Sequence, residues 1–104
     1  IEIILNDGRT ENRWDCDAGT ISAGQKHHIT AIIDGGPHVI SFVVDGKLCD
    51  GGEHRQYGWG RFTKDLRDAH GSDTLNIGPG ITSLRIYDRA LLTAEAIANH
   101  QALA

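Results

Sequence analysis

The sequence predicts an antiparallel, all-β sandwich with one short helix at its C-terminal end. Three observations predict it. First, turn signals recur at short intervals: Asp7-Gly8, Ala18-Gly19, Ala23-Gly24, Asp34-Gly35-Gly36-Pro37, Asp45-Gly46, Asp50-Gly51-Gly52 and Gly78-Pro79-Gly80. Asp-Gly and Gly-Pro accept the left-handed or pre-set dihedrals that tight turns require. Second, the segments between them are short and rich in β-branched residues, as in sandwiches and barrels. Third, no helical pattern separates the runs, which excludes a βαβ arrangement.

The elements follow in order. Ile1-Glu2-Ile3-Ile4-Leu5 is the first strand and 10–17 the second. Residues 27–33, His-His-Ile-Thr-Ala-Ile-Ile, are apolar on both faces toward their end, as a central strand would be. Residues 38–44 form the next strand, and 47–49 pair back across Asp45-Gly46, the strongest short-range hairpin signal in the chain. A short strand is expected over 74–77. In 82–88, Leu84 and Ile86 alternate with Ser83, Arg85 and Tyr87, which places Leu84 and Ile86 on a core face. The helix is expected from Ala94 to about Leu103, with Thr93 as N-cap and Glu95 in the first turn. Residue 96 is Ala, so no reciprocal capping box is expected from that N-cap. Ala94, Ile97 and Ala98 would form its small apolar face.

The 104 residues allow one domain, 1–104. With 10 basic and 14 acidic side chains the net charge is −4, and the basic residues are scattered apart from an interleaved stretch over 55–67. That argues against a nucleic-acid partner, which needs clustered cations against phosphate. No apolar run approaches a membrane span, and no signal segment opens the chain. Met is absent and Ile1 falls within an apolar run, so a processed form or a domain cut from a larger protein is expected. Cys16 and Cys49 permit one disulfide, which a secreted setting would favour; two buried free thiols are the alternative.

Several motifs, taken in order, resemble the laminin-G-like domain of the concanavalin A-type jelly rolls. Asn6-Asp7-Gly8 is similar to the family's loop after an early strand. Gln25-Lys26-His27-His28-Ile29-Thr30-Ala31 resembles its central strand, with Lys26 where Trp is usual. Asp34-Gly35-Gly36 resembles the following turn, and Phe42-Val43-Val44-Asp45-Gly46-Lys47 its hairpin. Ile81-Thr82-Ser83-Leu84-Arg85-Ile86-Tyr87-Asp88-Arg89-Ala90-Leu91, continuing into Thr93-Ala94-Glu95-Ala96-Ile97, resembles the terminal strand and the turn into a helix. The resemblance implies a jelly-roll sandwich of which this chain holds the C-terminal half to two-thirds; the alternative is that about seven strands close on themselves as a smaller sandwich. The earlier strands would come from a segment outside this sequence, a neighbouring domain, a second chain or a symmetry mate. It further implies a secreted, periplasmic or cell-surface setting, attachment to a glycoside hydrolase, a glycan or protein ligand, and a Ca²⁺ site in some members.

Chemistry is sparse. In the related glucanases, carboxylates sit at acid-x-acid-x-x-acid spacing on one strand face. The nearest match, Asp15-Cys16-Asp17-Ala18-Gly19-Thr20, has Thr20 in the third place, so no catalytic residue is assigned. His27 and His28 are adjacent and face opposite ways on a strand, and no His or Cys pair has zinc-finger spacing. For Ca²⁺, Asp7, Asp15, Asp17, Asp45 and Asp50 lie at strand ends, where Asp-Gly is also ordinary turn chemistry. No cofactor is expected otherwise.

The segment 53–62 carries the functional expectation. Tyr57, Trp59 and Phe62 offer flat faces for a sugar ring, and Arg55, Gln56 and Arg61 offer donors. The candidate ligand-binding residues are Arg55, Tyr57, Trp59 and Arg61. The competing reading has the aromatics plugging the core edge and the arginines holding neighbouring carboxylates. The expected role is a non-catalytic carbohydrate-binding or adhesion module. The rivals are part of a catalytic glycosidase or lyase whose acids lie outside this chain, and a structural spacer.

Overall fold

A computed structural model describes residues 1–66 and 76–103. Among them are six strands in two antiparallel sheets and one C-terminal helix. Strands β1 (Glu2–Asn6) and β2 (Glu11–Asp15) form a hairpin in which Ile3 faces Trp14 and Leu5 faces Asn12. Its turn is closed by side chains: Asp7 Oδ1 accepts the Arg9 and Thr10 N–H groups at 2.9 and 2.7 Å, and Asn6 Oδ1 accepts that of Gly8 at 2.7 Å. The second sheet contains β3 (Ile29–Asp34), β4 (Val39–Val44), β5 (Lys47–Leu48) and β6 (Gly60–Arg61). β3 lies along one edge of β4; β5 and β6 share the other. The β4–β5 turn holds Asp45 at φ 52° and Gly46 at φ 78°, the double left-handed geometry that makes Asp-Gly the favoured pair there.

The alternation of β4 organises the core. Ile40, Phe42 and Val44 point toward the β1–β2 hairpin and pack with Cys16, Cys49, Ile3, Leu5 and Trp14. Val43 points the other way, onto Ile32 and Ala96 of helix α1 (Thr93–Leu103). With apolar neighbours on both faces, β4 is the central strand. The sequence assigned that place to 27–33, but β3 has no partner on its outer edge among the described residues, and Ile33 is exposed.

Three expectations are corrected. Residues 82–88 form no strand: Leu84 is 48% and Ile86 72% exposed. A strand exists by pairing, and no neighbouring strand among the described residues receives this segment's N–H and C=O groups. Leu92, not Thr93, caps α1. Its carbonyl accepts the Ala96 N–H at 3.1 Å, and Glu95 reaches back to accept the Leu92 N–H at 2.9 Å, the N3 half of a capping box. The buried helix face is Ala96 with half-buried Ile97, while Ala94 and Ala98 are exposed. The strand expected over 74–77 begins outside the described residues. No helix among those described is long and apolar enough to cross a membrane.

Candidate functional site

The stretch between β5 and β6 carries the candidate residues, and the structure divides them. Arg55 is turned inward. Its guanidinium donates to Asp15 Oδ1 at 2.7 Å, to the Asp15 carbonyl at 3.1 Å and to Asp17 Oδ1 at 3.0 Å, and it lies 4.2 Å over the Trp14 ring. Asp17, 7% exposed, also accepts the Asp50 N–H at 2.9 Å and the Gly51 N–H at 3.0 Å. Its charge is therefore compensated where it is buried. Trp14 Nε1 donates to the Gly58 carbonyl at 3.2 Å. A Cβ at Gly58 would run into the Cys49 carbonyl, and one at Gly60 into the Trp14 ring, so glycine is required for the loop to lie against the backbone after β5 and against β2. Arg55 thus holds carboxylates, as the competing reading of this segment has it, and Asp15 and Asp17 are both engaged by one guanidinium. A hollow of about 630 Å³ lies over this knot, but no Trp, Tyr or Phe among the described residues lines it, and its Arg55 and Asp15 already pair with each other.

Cys16 and Cys49 meet in the same cluster. Both are buried free thiols, and burial pushes the Cys49 thiol above its ordinary value.

Tyr57, Trp59 and Arg61 do come together. The Tyr57 ring stacks on Trp59 at 4.9 Å, and the Arg61 guanidinium lies 5.4 Å from the Trp59 ring centre. Tyr57 is exposed and Trp59 half-buried, so Trp59 is not a simple core plug. Phe62 instead packs edge-on against His38 and borders the core. Register explains the grouping: Gly60 pairs with Ile40 and Arg61 with Val39, which puts Arg61 on the sheet face opposite the β1–β2 hairpin.

On that face lies an open groove of about 300 Å³. Ile32, Val39 and Ser41 form its floor, Trp59 stands on one side, and Leu91 and Thr93 at the start of α1 stand on the other. Asp34 lies at its end; one carboxylate oxygen accepts the Gly36 N–H at 2.9 Å. Sequence reasoning missed Asp34 and Ser41 as site residues. Asp34 reads as turn chemistry, and the one signal for Ser41 was a hydroxyl between Ile40 and Phe42 in an otherwise apolar strand.

Two other constellations are structural. His27 Nδ1 meets Asp45 Oδ2 at 2.6 Å, and Ser22 stands beside the same ring, giving a Ser-His-Asp order in space. The Ser22 backbone N–H, however, donates to His27 Nε2 at 3.0 Å, occupying the lone pair a general base would use. Hydrogen bonding from His27, together with the His28 N–H at 2.8 Å, holds the Asp45 carboxyl below its ordinary 3.8. The aspartates considered for Ca²⁺ do not converge: Asp7 and Asp50 accept turn N–H groups, Asp45 pairs with His27, and Asp15 and Asp17 with Arg55. No group of three or more His, Cys, Asp or Glu side chains among the described residues is placed to hold a metal ion.

The chain was compared with protein-family models, curated proteins and solved structures, and none of them matches it.

Proposed function

We propose that this chain is a non-catalytic glycan-recognition module built on a concanavalin A-like jelly roll, belonging to a larger secreted or surface protein. One observation carries the reading: Trp59, flanked by Tyr57 and Arg61, stands over an open groove whose floor and end supply Ser41 and Asp34. An aromatic wall beside aliphatic floor and isolated polar groups suits a pyranose, which has C–H faces and a rim of hydroxyls. The carboxylates nearest a glucanase pattern are committed to Arg55, which favours binding over hydrolysis.

Two antiparallel sheets facing each other across a shared core support the sandwich architecture. Leu84 and Ile86, expected on a core face, are exposed and unpaired among the described residues, which counts against a terminal strand at 82–88; the reading rests on the two sheets and the groove. Affinity electrophoresis through gels containing soluble polysaccharides tests the site. Trp59→Ala is expected to abolish retardation while leaving the circular-dichroism spectrum intact. Unchanged retardation removes the groove from consideration.

A further inference from the structure

We infer that the groove beside Trp59 selects neutral pyranosides and rejects acidic glycans; this rests on the glycan reading above and specifies its substrate class. The inference comes from the charge of the lining. Among the described residues, Asp34 is the one ionisable side chain that lines the groove, and its neighbours there are aliphatic, aromatic or hydroxyl-bearing. One Asp34 oxygen receives the Gly36 N–H, which fixes the carboxylate in the Asp34-Gly35-Gly36 turn and leaves acceptor capacity for a ligand hydroxyl. A hydroxyl donating to a carboxylate makes a charge-assisted bond, stronger than a neutral one. A uronate, sialate or sulfate in the same place would set like charges together.

A cation in the lining would reverse this preference, but the guanidinium of Arg61, beside Trp59, sits over the Trp59 ring and outside the groove lining. The net charge of −4 adds a long-range bias against polyanions. Ser41, half-buried on the floor, and Thr93 on the far wall supply neutral donors and acceptors for the remaining hydroxyls. A groove of about 300 Å³ is at the small end of ligand sites. It therefore takes one or two sugar units, with the rest of a polymer passing out of its open ends.

The test is affinity electrophoresis on neutral polysaccharides (xylan, mixed-linkage β-glucan, galactomannan) and acidic ones (polygalacturonate, heparin). Wild type, Asp34→Asn, Arg61→Gln and Trp59→Ala are compared, each first checked for folding by circular dichroism. Asn preserves the acceptor for the Gly36 N–H, so Asp34→Asn keeps the turn. The expected result is retardation of wild type by at least one neutral polymer and by neither acidic one. Asp34→Asn should weaken the neutral interaction by about fivefold to tenfold, the difference between a charge-assisted and a neutral hydrogen bond, and Arg61→Gln should change it little. Retention on polygalacturonate or heparin that matches or exceeds the neutral polymers, and is lost in Arg61→Gln, overturns the charge selection while the glycan reading stands. Neutral retention indifferent to Asp34→Asn overturns it as well. Retention on none of the five polymers removes the glycan reading itself.

Discussion

Arg55 decides how the chain between the two sheets is held. It is three-quarters buried, stacks on Trp14 and holds two carboxylates, one of them buried. Truncating it leaves Asp17 with its backbone donors but without a countercharge. Arg55→Ala is therefore expected to cost about 2 kcal/mol, seen as a lower urea midpoint at unchanged m-value. Retention of the folded variant on a neutral polysaccharide should persist, since Arg55 does not line the groove. Glu95 sets an acid limit on the helix start. The Arg89 guanidinium, at 2.6 Å, and the Leu92 N–H hold its carboxyl at about 2, against an ordinary 4.5. A carboxyl lowered by folding stabilises the fold above its unfolded value, and that contribution is lost as pH falls through the folded one. Helicity followed by circular dichroism should thus decline between about pH 4.5 and pH 2. Glu95→Gln should flatten that part of the profile, and Asp45, lowered in the same sense by His27, should add to acid sensitivity in the wild type. Little of this was legible beforehand. Thr93 looked like a cap by residue type, but Leu92 occupies the position and Glu95 reaches back to it, a choice made by where the chain docks Ala96 in the core.

At the level of elements, the two sheets meet where β2 ends and β5 gives way to its loop. Asp17 receives the N–H groups of residues 50 and 51, which fixes the neighbours of Cys16 against the neighbours of Cys49. Both thiols lie in the cluster this contact encloses. Oxidised glutathione should therefore convert them to a disulfide by exchange, with two reduced glutathione molecules released. Thiol titration of the denatured, unreduced product should then find none free. On the chain-entropy model the bridge would add about 3–4 kcal/mol, read as a rise in Tm that dithiothreitol reverses. Two titratable thiols after prolonged oxidation would show that burial keeps them apart from oxidant or from each other. The β4–β5 hairpin, by contrast, was fully legible: Asp-Gly requires two left-handed residues, and both have positive φ. The strand at 82–88 was misread because alternation reports which side chains share a face, not whether another backbone is there to pair.

On the scale of the molecule, exposed apolar surface is the leading fact. Among the described residues, exposed apolar side chains gather in the segment before α1, where no strand pairs. Much of the exposed apolar surface lies on Ile77, Ile81, Leu84, Ile86 and Leu92. Sedimentation velocity across a concentration series should accordingly show self-association of this chain. Replacing Leu84 and Ile86 by Ser and Thr should shift the distribution toward monomer. A single monomeric species at every concentration would count against completion by another strand.

The amino-acid sequence by itself determined the antiparallel character, the hairpin turns and the existence of a C-terminal helix. These follow from dihedral preference and side-chain period, which are local. Tertiary structure alone decided that β4 rather than β3 is central and that Arg55 is spent on carboxylates. It also decided that Trp59, Ser41 and Asp34, up to twenty-five residues apart in the chain, border one groove. Those outcomes depend on which edge each strand pairs along, and register is set by the packing of the whole core rather than by any segment within it.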